Sequence, residues 1–459
     1  MTRRSNFYDG PVLPARRLRR IPTLPHDDAA CGWLNPLPPP PPAQPLAGAL
    51  RADYAVIGAG FTGLAVARRL AEARPEQRIA VVEAQRAGFG ASGRSSGFVV
   101  DLAHFIARMP EAASRDYVAL SRLGIGALRD LVRTHGIDCD WDETGWIHAA
   151  AGEAAAVALP MLRAWLDRMG ERYQELDPEG LAAITGTRFY RAGLRLPGSV
   201  LVQSGALVRG LAAHLPPNVT LYEESPVLRI ESGSGASDSG KGFRLVTAGG
   251  ELRAAKLFIA GNGYSPLLGV LADRVFPLIT FGSLTRPLSA AEQATLGGER
   301  EWGLLAEDNM GSTVRRTRDQ RILIRNSVHY RRDLTVPDAV RERAKAAHRQ
   351  AFLARFPALA DVPFEHTWAG VMGASPNRGH SFGEIEENLF TAAGYTGGGI
   401  AMGTTAGMLL ADLALGALSK PLADMLALPA PTWLPPQPFL DFGIRLRVAR
   451  MNASAGPTL

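Results

Sequence analysis

The sequence has few cysteines, no zinc-type histidine motif and no apolar run of membrane-spanning length. Two cysteines, Cys31 and Cys139, are too few for a disulfide framework or a cysteine-based metal centre. The nine histidines show no HExxH spacing, so we expect no structural metal. A membrane-spanning helix needs ~18–20 apolar residues. The most apolar segment, GMLLADLALGAL (407–418), is shorter and contains Asp412, and it predicts a buried helix.

Charge is also sparse and almost balanced. There are 50 basic and 44 acidic residues, giving a formal net charge of +6, and nearly all the basic residues are arginine. No Lys/Arg block is interleaved with aromatic residues, so we expect no nucleic-acid partner. The start, MTRRSNFYDG, has paired arginines but no apolar segment behind them, which is unlike a secretion signal. We therefore expect a cytoplasmic protein without a transmembrane segment.

Residues 1–49 are rich in proline and arginine and predict an extended arm over the surface of the protein. After Arg51 the pattern changes. DYAVIGAG predicts a buried strand entering a glycine turn, TGLAVARRLAEA predicts a helix, and RIAVVEA predicts a second strand. This unit should form two parallel strands with a right-handed crossover. We predict an α/β fold in which this unit forms a Rossmann-like domain, and the length of the chain suggests two or three units in all.

The remaining chain carries signals for both helices and hairpins. Amphipathic spacing predicts helices over 111–135, 153–169, 205–215 and 337–356. A strand, a turn and a second strand are predicted over 219–231. Two hairpins are predicted over 242–263 and 312–327.

A dinucleotide fingerprint lies between the first strand and the first helix. Gly58, Gly60 and Gly63, with Phe61 and Thr62 between them, allow a tight turn, the approach of a pyrophosphate and close helix packing. The start of the helix offers free N–H groups to phosphates. Glu83 ends the second strand, where its carboxylate can bind ribose hydroxyls. The acid favours FAD or NAD over NADP.

The segment AGFGASGRSSGF (87–98) follows this acid and helps to decide between FAD and NAD. An NAD enzyme would run directly into its next helix. Here small residues, hydroxyls and backbone N–H groups form a loop able to lie along a pyrophosphate and ribityl chain, and Arg94 adds a positive charge. This loop favours FAD.

The stretch ADYAVIGAGFTGLAVARRLAEA…VVEAQRAGFGASGRSSG resembles the FAD-dependent oxidoreductases of the D-amino-acid oxidase superfamily. GIDCDWDETGWIHAA, LFIAGNGYSPLL, HTWAGVMG and ENLFTAAGYTGGGIAMGTTAGMLLADLALG are similar in the same order to the γ-glutamylputrescine oxidase-like subgroup. The resemblance covers residues 45 to 420. It implies a glutathione-reductase-type FAD domain made of 50–107, 197–269 and 366–420. It also implies a second domain, a substrate domain built on a mixed or antiparallel sheet and made of 108–196 and 270–365, followed by a tail, 421–459.

The resemblance, together with the fingerprint, assigns the cofactor contacts. Those residues are Gly58, Gly60, Phe61, Thr62, Gly63, Glu83, Ala84, Ala91, Ser92, Gly93, Arg94, Ser95, Ser96, Gly97, Val227, Gly261, Gly394, Tyr395, Thr396, Gly397, Gly398, Gly399 and Ile400. The turn 393–400 precedes a helix whose dipole can stabilise negative charge on the flavin. Neither cofactor loop contains histidine or cysteine, the residues that carry covalent flavin in several members, so we predict non-covalent FAD.

Two departures from the subgroup bear on the substrate. Gly398 stands where relatives have histidine, and Arg325 and Asn326 put bulk and charge where relatives have a small strand end. For anchoring a substrate carboxylate, Arg315 in the hairpin is the first candidate, because a guanidinium can grip it with two N–H groups. Arg378 is a second candidate and His329 a weaker one. A solvated hairpin charge is an equally good interpretation of Arg315.

The reaction implied is oxidation of a C–N bond in a small amine or amino acid by hydride transfer to flavin N5. Water would then hydrolyse the imine, and O2 or another acceptor would reoxidise the flavin. This chemistry needs an aligned carbon more than a dedicated base. A monooxygenase is an alternative, although AGYTGGGIAMG stands where those enzymes have a GDAAH-like segment. A flavoprotein with a scaffold role is the non-enzymatic alternative. An NAD dehydrogenase would leave both later loops without a role.

Overall fold

The computed structural model describes residues 4–7, 16, 18–26, 28, 30–234, 241–307 and 311–454. The other parts of the predicted arm (1–49) and of the predicted tail (421–459) lie outside the described residues.

The strands of the described chain form two large sheets and one two-stranded ribbon. They are β1 (Leu18–Arg20), β2 (Gly48–Ile57), β3 (Ile79–Val82), β4 (Phe98–Val99), β5 (Trp146–Ala150), β6 (Gln174–Leu176), β7 (Ala192–Leu196), β8 (Val200–Leu201), β9 (Val219–Tyr222), β10 (Arg229–Ser234), β11 (Lys241–Val246), β12 (Gly250–Ile259), β13 (Phe276–Thr285), β14 (Trp302–Ala306), β15 (Thr313–Arg316), β16 (Ile322–His329), β17 (Phe364–Ala374), β18 (Ser381–Glu386) and β19 (Leu389–Ala393).

The helices are α1 (Phe61–Ala73), α2 (Ala91–Arg94), α3 (Glu111–His135), α4 (Glu153–Met169), α5 (Pro178–Thr185), α6 (Ser204–Ala213), α7 (Ala290–Gln293), α8 (Asp338–Arg355), α9 (Ala401–Ala414), α10 (Lys420–Ala427) and α11 (Phe439–Ser454). Both long helices predicted over 111–135 and 153–169 are present with those bounds. Each ends where a glycine, Gly136 or Gly170, adopts the left-handed conformation that terminates a helix.

The first sheet has the order β1-β10-β11-β12-β2-β3-β9, with β19 and β18 attached beside β12. Its centre is parallel: β2 pairs with β12 and β3, β3 pairs with β9, and β19 pairs with β12. Strands β3 and β19 are buried throughout, and β2 and β12 are buried over their last residues, as parallel strands covered on both faces should be. Their carboxyl ends lie along one edge, where ligands of such sheets bind.

The second sheet has the order β17-β13-β16-β15-β14-β5-β7-β6 and is antiparallel except between β14 and β5. Helix α8 packs on β16 through Ala351 and Phe352 and on β13 through Ala344. The two sheets confirm the predicted mixed α/β fold with two domains.

Two strands show how the predicted segments are distributed between the two sheets. Strand β17 forms the edge of the second sheet, although the predicted segment 366–420 starts inside it. Strand β1, from the N-terminal arm, pairs antiparallel with β10 of the first sheet. The division into domains drawn from the sequence stays a prediction.

Helix α9 is held closely between α1 and α3, and this packing sets the position of its first turn. A Cβ on Gly407 would collide with the Thr62 carbonyl of α1, and one on Gly124 of α3 would collide with the Ala401 carbonyl. Only glycine permits these close approaches. The first turns of α1 and α9 are thereby brought together: the hydroxyls of Thr62 and Tyr395 lie 3.0 Å apart. Within the described residues, no helix is long and apolar enough to cross a membrane.

Candidate active site

A cavity of about 290 Å³ lies between the carboxyl-terminal edge of the first sheet and one face of the second. It is elongated, extending from the ends of β2 and β3 to residues of β13, β15 and β16. All but four of the residues predicted to bind the cofactor line it. Those four are Gly63, Gly93, Gly97 and Gly394, which shape the backbone beside it.

The glycine turn is built as the fingerprint predicts. Gly58 has a φ of 103°, and its N–H donates to the Val82 carbonyl at 2.9 Å. A Cβ on Gly63 would collide with the Gly58 carbonyl. Helix α1 begins after Gly60 without a side-chain cap and without an acidic residue in its first turn. The helix dipole and the first-turn N–H groups other than that of Phe61, which donates to Ser92 Oγ, therefore suit an anionic group such as a pyrophosphate.

Glu83 is fixed at the end of β3 by the backbone around it. Its Oε2 accepts from the Ala59 N–H at 2.8 Å, and its Oε1 accepts from the Gln85 N–H at 3.0 Å. The carboxylate lines the cavity near Ser225 and Val227. This end of the cavity suits the ribose and base of an adenosine.

The glycine- and serine-rich loop is fastened to both sheets. Ser92 Oγ accepts from the Phe61 N–H at 3.1 Å, joining the loop to the start of α1. The Arg94 guanidinium donates to the carbonyls of Phe89 and Ala369 and forms an ion pair with Asp28 at 3.2 Å. Arg94 lines the cavity as predicted, but its charge is held by an acid of the N-terminal arm.

The second glycine turn leads from β19 into α9. Gly394 and Gly397 have φ values of 88° and 102°, and the Gly394 N–H donates to Asn262 Oδ1 at 3.0 Å. The first helical bond runs from the Met402 N–H to the Gly398 carbonyl, and the helix start has no side-chain cap. Its N–H dipoles thus face the cavity without a protein acid to satisfy them.

Together these features fit FAD. One uncapped helix start and a placed carboxylate stand at the adenosine end of the cavity, and a second uncapped helix start stands farther along it. Between them the lining is made of small residues such as Gly60 and Ala91, which allow a ligand to lie along the backbone.

Beyond the second turn the cavity ends among side chains of the second sheet. Trp146, Thr313 and Arg325 line this end together with His104. Thr313 and Arg325 are cross-strand partners on β15 and β16, so their side chains share one face. Thr313 Oγ1 and Trp146 Nε1 are buried without a hydrogen-bond partner among the described residues. Unsatisfied buried polar groups at a cavity wall indicate a polar ligand.

Arg325 stands out electrostatically at this end. Within the described part of the chain, no carboxylate forms an ion pair with its guanidinium, and burial alone lowers its pKa. Arg325 is half-buried at the cavity wall, and a partly desolvated cation without an acidic partner is costly. Arg325 therefore favours an anionic ligand.

His104 is exposed to the cavity, although it lies deep inside the molecule. Its Cε1 would be 3.7 Å from a Cβ placed on Gly397. Burial, and then the charges of Arg378, His148 and Arg325, lower its pKa to about 3. The imidazole is neutral at physiological pH and can orient a substrate, but it is too weakly basic to collect a proton.

The three predicted anchors lie elsewhere. Arg315 is buried and donates to the Val202 carbonyl at 2.5 Å. Its guanidinium also lies over the Trp33 ring, and these contacts place Arg315 beside the end of the glycine- and serine-rich loop. Arg378 lies over the Phe105 ring, and His329 is half-buried beside Arg331. These three described residues are not part of the cavity lining.

The reasoning from sequence did not propose His104, Trp146 or Thr313, and it named Arg325 only as a departure. Alternation along the hairpin would have grouped Thr313 with Arg315, because both belong to one face of β15. The register that pairs Thr313 with Arg325 was the missing information.

The space beside Gly398 is filled by another side chain. A Cβ on Gly398 would lie 2.5 Å from Tyr117 Oη. The Tyr117 ring in turn packs edge-on against Phe105 and His380. The histidine that relatives carry in this turn is thus absent here, and a buried phenol occupies the adjacent volume.

The described residues contain no cluster of histidine, cysteine and acidic side chains suited to a metal ion. Neither Cys31 nor Cys139 lines the cavity, and burial raises the pKa of the Cys139 thiol to about 12. Both thiols are therefore unreactive at neutral pH.

Comparison with known proteins gives a consistent result. The sequence profile of the DAO family, described as FAD dependent oxidoreductase, matches residues 53–413. The chain is 28% identical to "Probable oxidoreductase OrdL" of Haemophilus influenzae, over 81% of this chain and 85% of that one. It is also 28% identical to the gamma-glutamylputrescine oxidoreductase of Escherichia coli, over 82% of this chain and 86% of that one.

Solved structures show the same fold. Glycine oxidase from Geobacillus kaustophilus superposes with a TM-score of 0.67 and 22% identity, covering 81% of this chain and 96% of that one. L-proline dehydrogenase from P. horikoshii superposes with a TM-score of 0.65 and 18% identity, over 82% of this chain and 96% of that one.

Proposed function

The chain belongs to the DAO family of FAD-dependent oxidoreductases, and on that premise we propose that it oxidises the C–N bond of an amine bearing a carboxylate, with Arg325 holding the carboxylate. The observation that carries this proposal is the guanidinium of Arg325 at the inner end of the cavity, which has no ion-pair partner among the described residues. It supports a substrate anchor at a different arginine from the one that the hairpin pattern suggested.

FAD, when bound, supplies a two-electron acceptor for the substrate carbon. Glu83 and the start of α1 would hold its adenosine and pyrophosphate. The loop from Ala91 to Ser96 would border its middle, and the turn from Tyr395 to Ile400 would hold the flavin end. There, the N–H groups at the start of α9 can stabilise negative charge on the ring.

The side chains of the second sheet that line the cavity would orient the substrate. Arg325 can bind a carboxylate with two parallel N–H groups, which fixes both the position and the rotation of the substrate. Thr313 Oγ1 and Trp146 Nε1 can each make a further hydrogen bond to it. A fixed carboxylate lets the neighbouring C–N bond be presented in one orientation, and such alignment is the main requirement of this chemistry.

His104 contributes as a neutral group. Because its pKa is lowered to about 3, it does not repel a protonated amine as a cation would. Its ring nitrogens can accept from or donate to the substrate. We expect the amine itself, rather than a protein base, to lose the proton that makes its lone pair available.

The test compares Arg325→Leu with Arg343→Leu, an exposed arginine on α8. For a reactive amino acid, Arg325→Leu should raise KM by roughly 100-fold, since a charged hydrogen-bonded pair contributes about 1.5–3 kcal/mol. The KM for the corresponding amine without a carboxylate should change little. Arg343→Leu should leave both values unchanged.

A rise in KM of equal size for both substrates would refute the role of Arg325 as a carboxylate anchor, because an equal loss of binding for both substrates indicates a distorted cavity. The absorbance of bound flavin, measured first in each variant, separates this outcome from loss of the cofactor.

A further inference from the structure

Helix α11 follows α10 and is apolar on two opposite faces. Leu440, Ile444 and Val448 form the buried face and pack beside Val328 of β16. The Asn452 side chain also donates to the Val328 carbonyl at 3.1 Å. The helix is therefore firmly attached to the second sheet by its inner face.

The outer face carries a second apolar stripe. Phe439, Phe442 and Leu446 are 70%, 73% and 40% exposed, and their spacing of three and four residues places them on one side of the helix. We name these three residues the α11 patch. Clusters of exposed large apolar side chains indicate an interaction surface.

Cations border this stripe. Arg445 lies on one side of it on the helical wheel, Arg447 and Arg450 lie on the other, and all three are exposed. The single acidic residue of the helix, Asp441, accepts from the Tyr330 hydroxyl at 2.6 Å and is directed away from this surface. The outer face is thus apolar along its centre and positively charged along both edges.

An apolar stripe with aromatic side chains and arginine borders is the pattern of a helix that lies in a membrane interface. The apolar side chains enter the boundary between headgroups and acyl chains, and the arginines meet lipid phosphates. We propose that the α11 patch docks on the surface of a bilayer containing anionic phospholipids.

The docking needs no rearrangement of the protein. Because the inner face keeps Leu440, Ile444 and Val448 on the sheet, the outer stripe is already presented as a rigid surface. A groove of a protein partner would have to place acidic groups on both sides of a narrow stripe, whereas an anionic lipid surface supplies negative charge on every side.

The test is co-sedimentation of the holoenzyme with vesicles of phosphatidylcholine alone and of phosphatidylcholine mixed with phosphatidylglycerol. Wild-type protein should bind the mixed vesicles, and high salt should weaken the binding because it screens the arginines. The variant R445Q/R447Q/R450Q should bind on the order of 100-fold more weakly, since each surface arginine contributes about a factor of five to ten. F439S/F442S should also lose most of the binding.

Matched controls use equally exposed residues elsewhere. V157S/L418S removes two apolar side chains that are 76% and 86% exposed, and R133Q/R172Q/R188Q removes three exposed charges. Both controls should bind mixed vesicles as the wild type does. All variants should retain bound flavin, which shows that they are folded.

Three results would overturn the proposal. The wild type could fail to bind mixed vesicles at low salt, or it could bind phosphatidylcholine equally well. Light scattering could instead show a dimer that F439S/F442S dissociates, which would identify a second copy of this chain as the occupant of the patch.

Discussion

The ion pair between Asp28 and Arg94 links the N-terminal arm to the cofactor loop. Arg94 is buried, and Asp28 also pairs with Arg341 of α8, so a single carboxylate joins the arm, the loop and helix α8. Nearby, Cys31 Sγ lies 3.6 Å from the Gly93 carbonyl. The arm, which the sequence suggested to be a surface extension, also contributes Ile21 and Pro25 to the lining of the cavity.

We expect Asp28→Asn to raise the Kd for FAD by roughly tenfold, because a charge-assisted hydrogen bond to a buried group contributes about 1.5–3 kcal/mol. Titration of the apoprotein with FAD, followed by flavin fluorescence, measures the change. Asp333→Asn is the control, since it breaks an exposed pair with Arg331. An unchanged Kd in Asp28→Asn would show that the loop holds its shape without the arm.

At the scale of elements, the site depends on how closely α9 packs against α1. The close approach at Gly407 holds the starts of the two helices beside one cavity, although the helices are separated by more than 300 residues of sequence. Their dipoles act on one elongated ligand only while this crossing is maintained.

Gly407→Ala should therefore force α9 away from α1. Overpacking of this kind costs about 1–3 kcal/mol, and we expect a lower thermal midpoint and weaker FAD binding. Gly126→Ala in α3 is the matched control, because nothing lies within 4 Å of the added methyl group. It should stabilise the protein slightly, by about 0.5–1 kcal/mol. Equal thermal midpoints and equal FAD affinities in the two variants would contradict this account.

The elements that the sequence predicted well are those defined by local periodicity. Helix α3 has the predicted bounds because apolar spacing and Gly136 determine its face and its end within 26 residues. The position of Arg315 depends instead on which part of the hairpin meets the cavity. Thr313 lies at the cavity wall, while Arg315, two residues along the same face, lies beneath Val202. That distinction arises only from tertiary packing.

At the scale of the whole molecule, two buried histidines couple stability to pH. Burial lowers the pKa of His348 and that of His380 to about 4. His348 lies 2.7 Å from Ser283 Oγ, and its pKa is lowered further by the charge of Arg325. Each imidazole is neutral when folded but takes up a proton near pH 6.5 when unfolded.

Because the folded pKa values are depressed, this stabilisation is present above pH 6.5 and is lost as the pH falls toward 4. Near pH 5 the two groups together reduce the free energy of unfolding by about 2 kcal/mol for each unit by which the pH falls. The thermal midpoint should therefore fall between pH 7 and pH 5. His348→Gln should reduce this dependence by about one half, and His26→Gln, which replaces an exposed histidine, should not. A slope unchanged in His348→Gln would refute the assignment.

The central claim is that the FAD-containing protein oxidises an amine whose carboxylate it binds. The most direct measurement is anaerobic mixing of the purified holoprotein with pairs of compounds, each an amino acid and the same amine without its carboxylate, while the absorbance of oxidised flavin near ~450 nm is followed. We predict bleaching by at least one amino acid and far slower bleaching by its partner amine. Bleaching by neither class, or at equal rates by both members of every pair, would contradict the account.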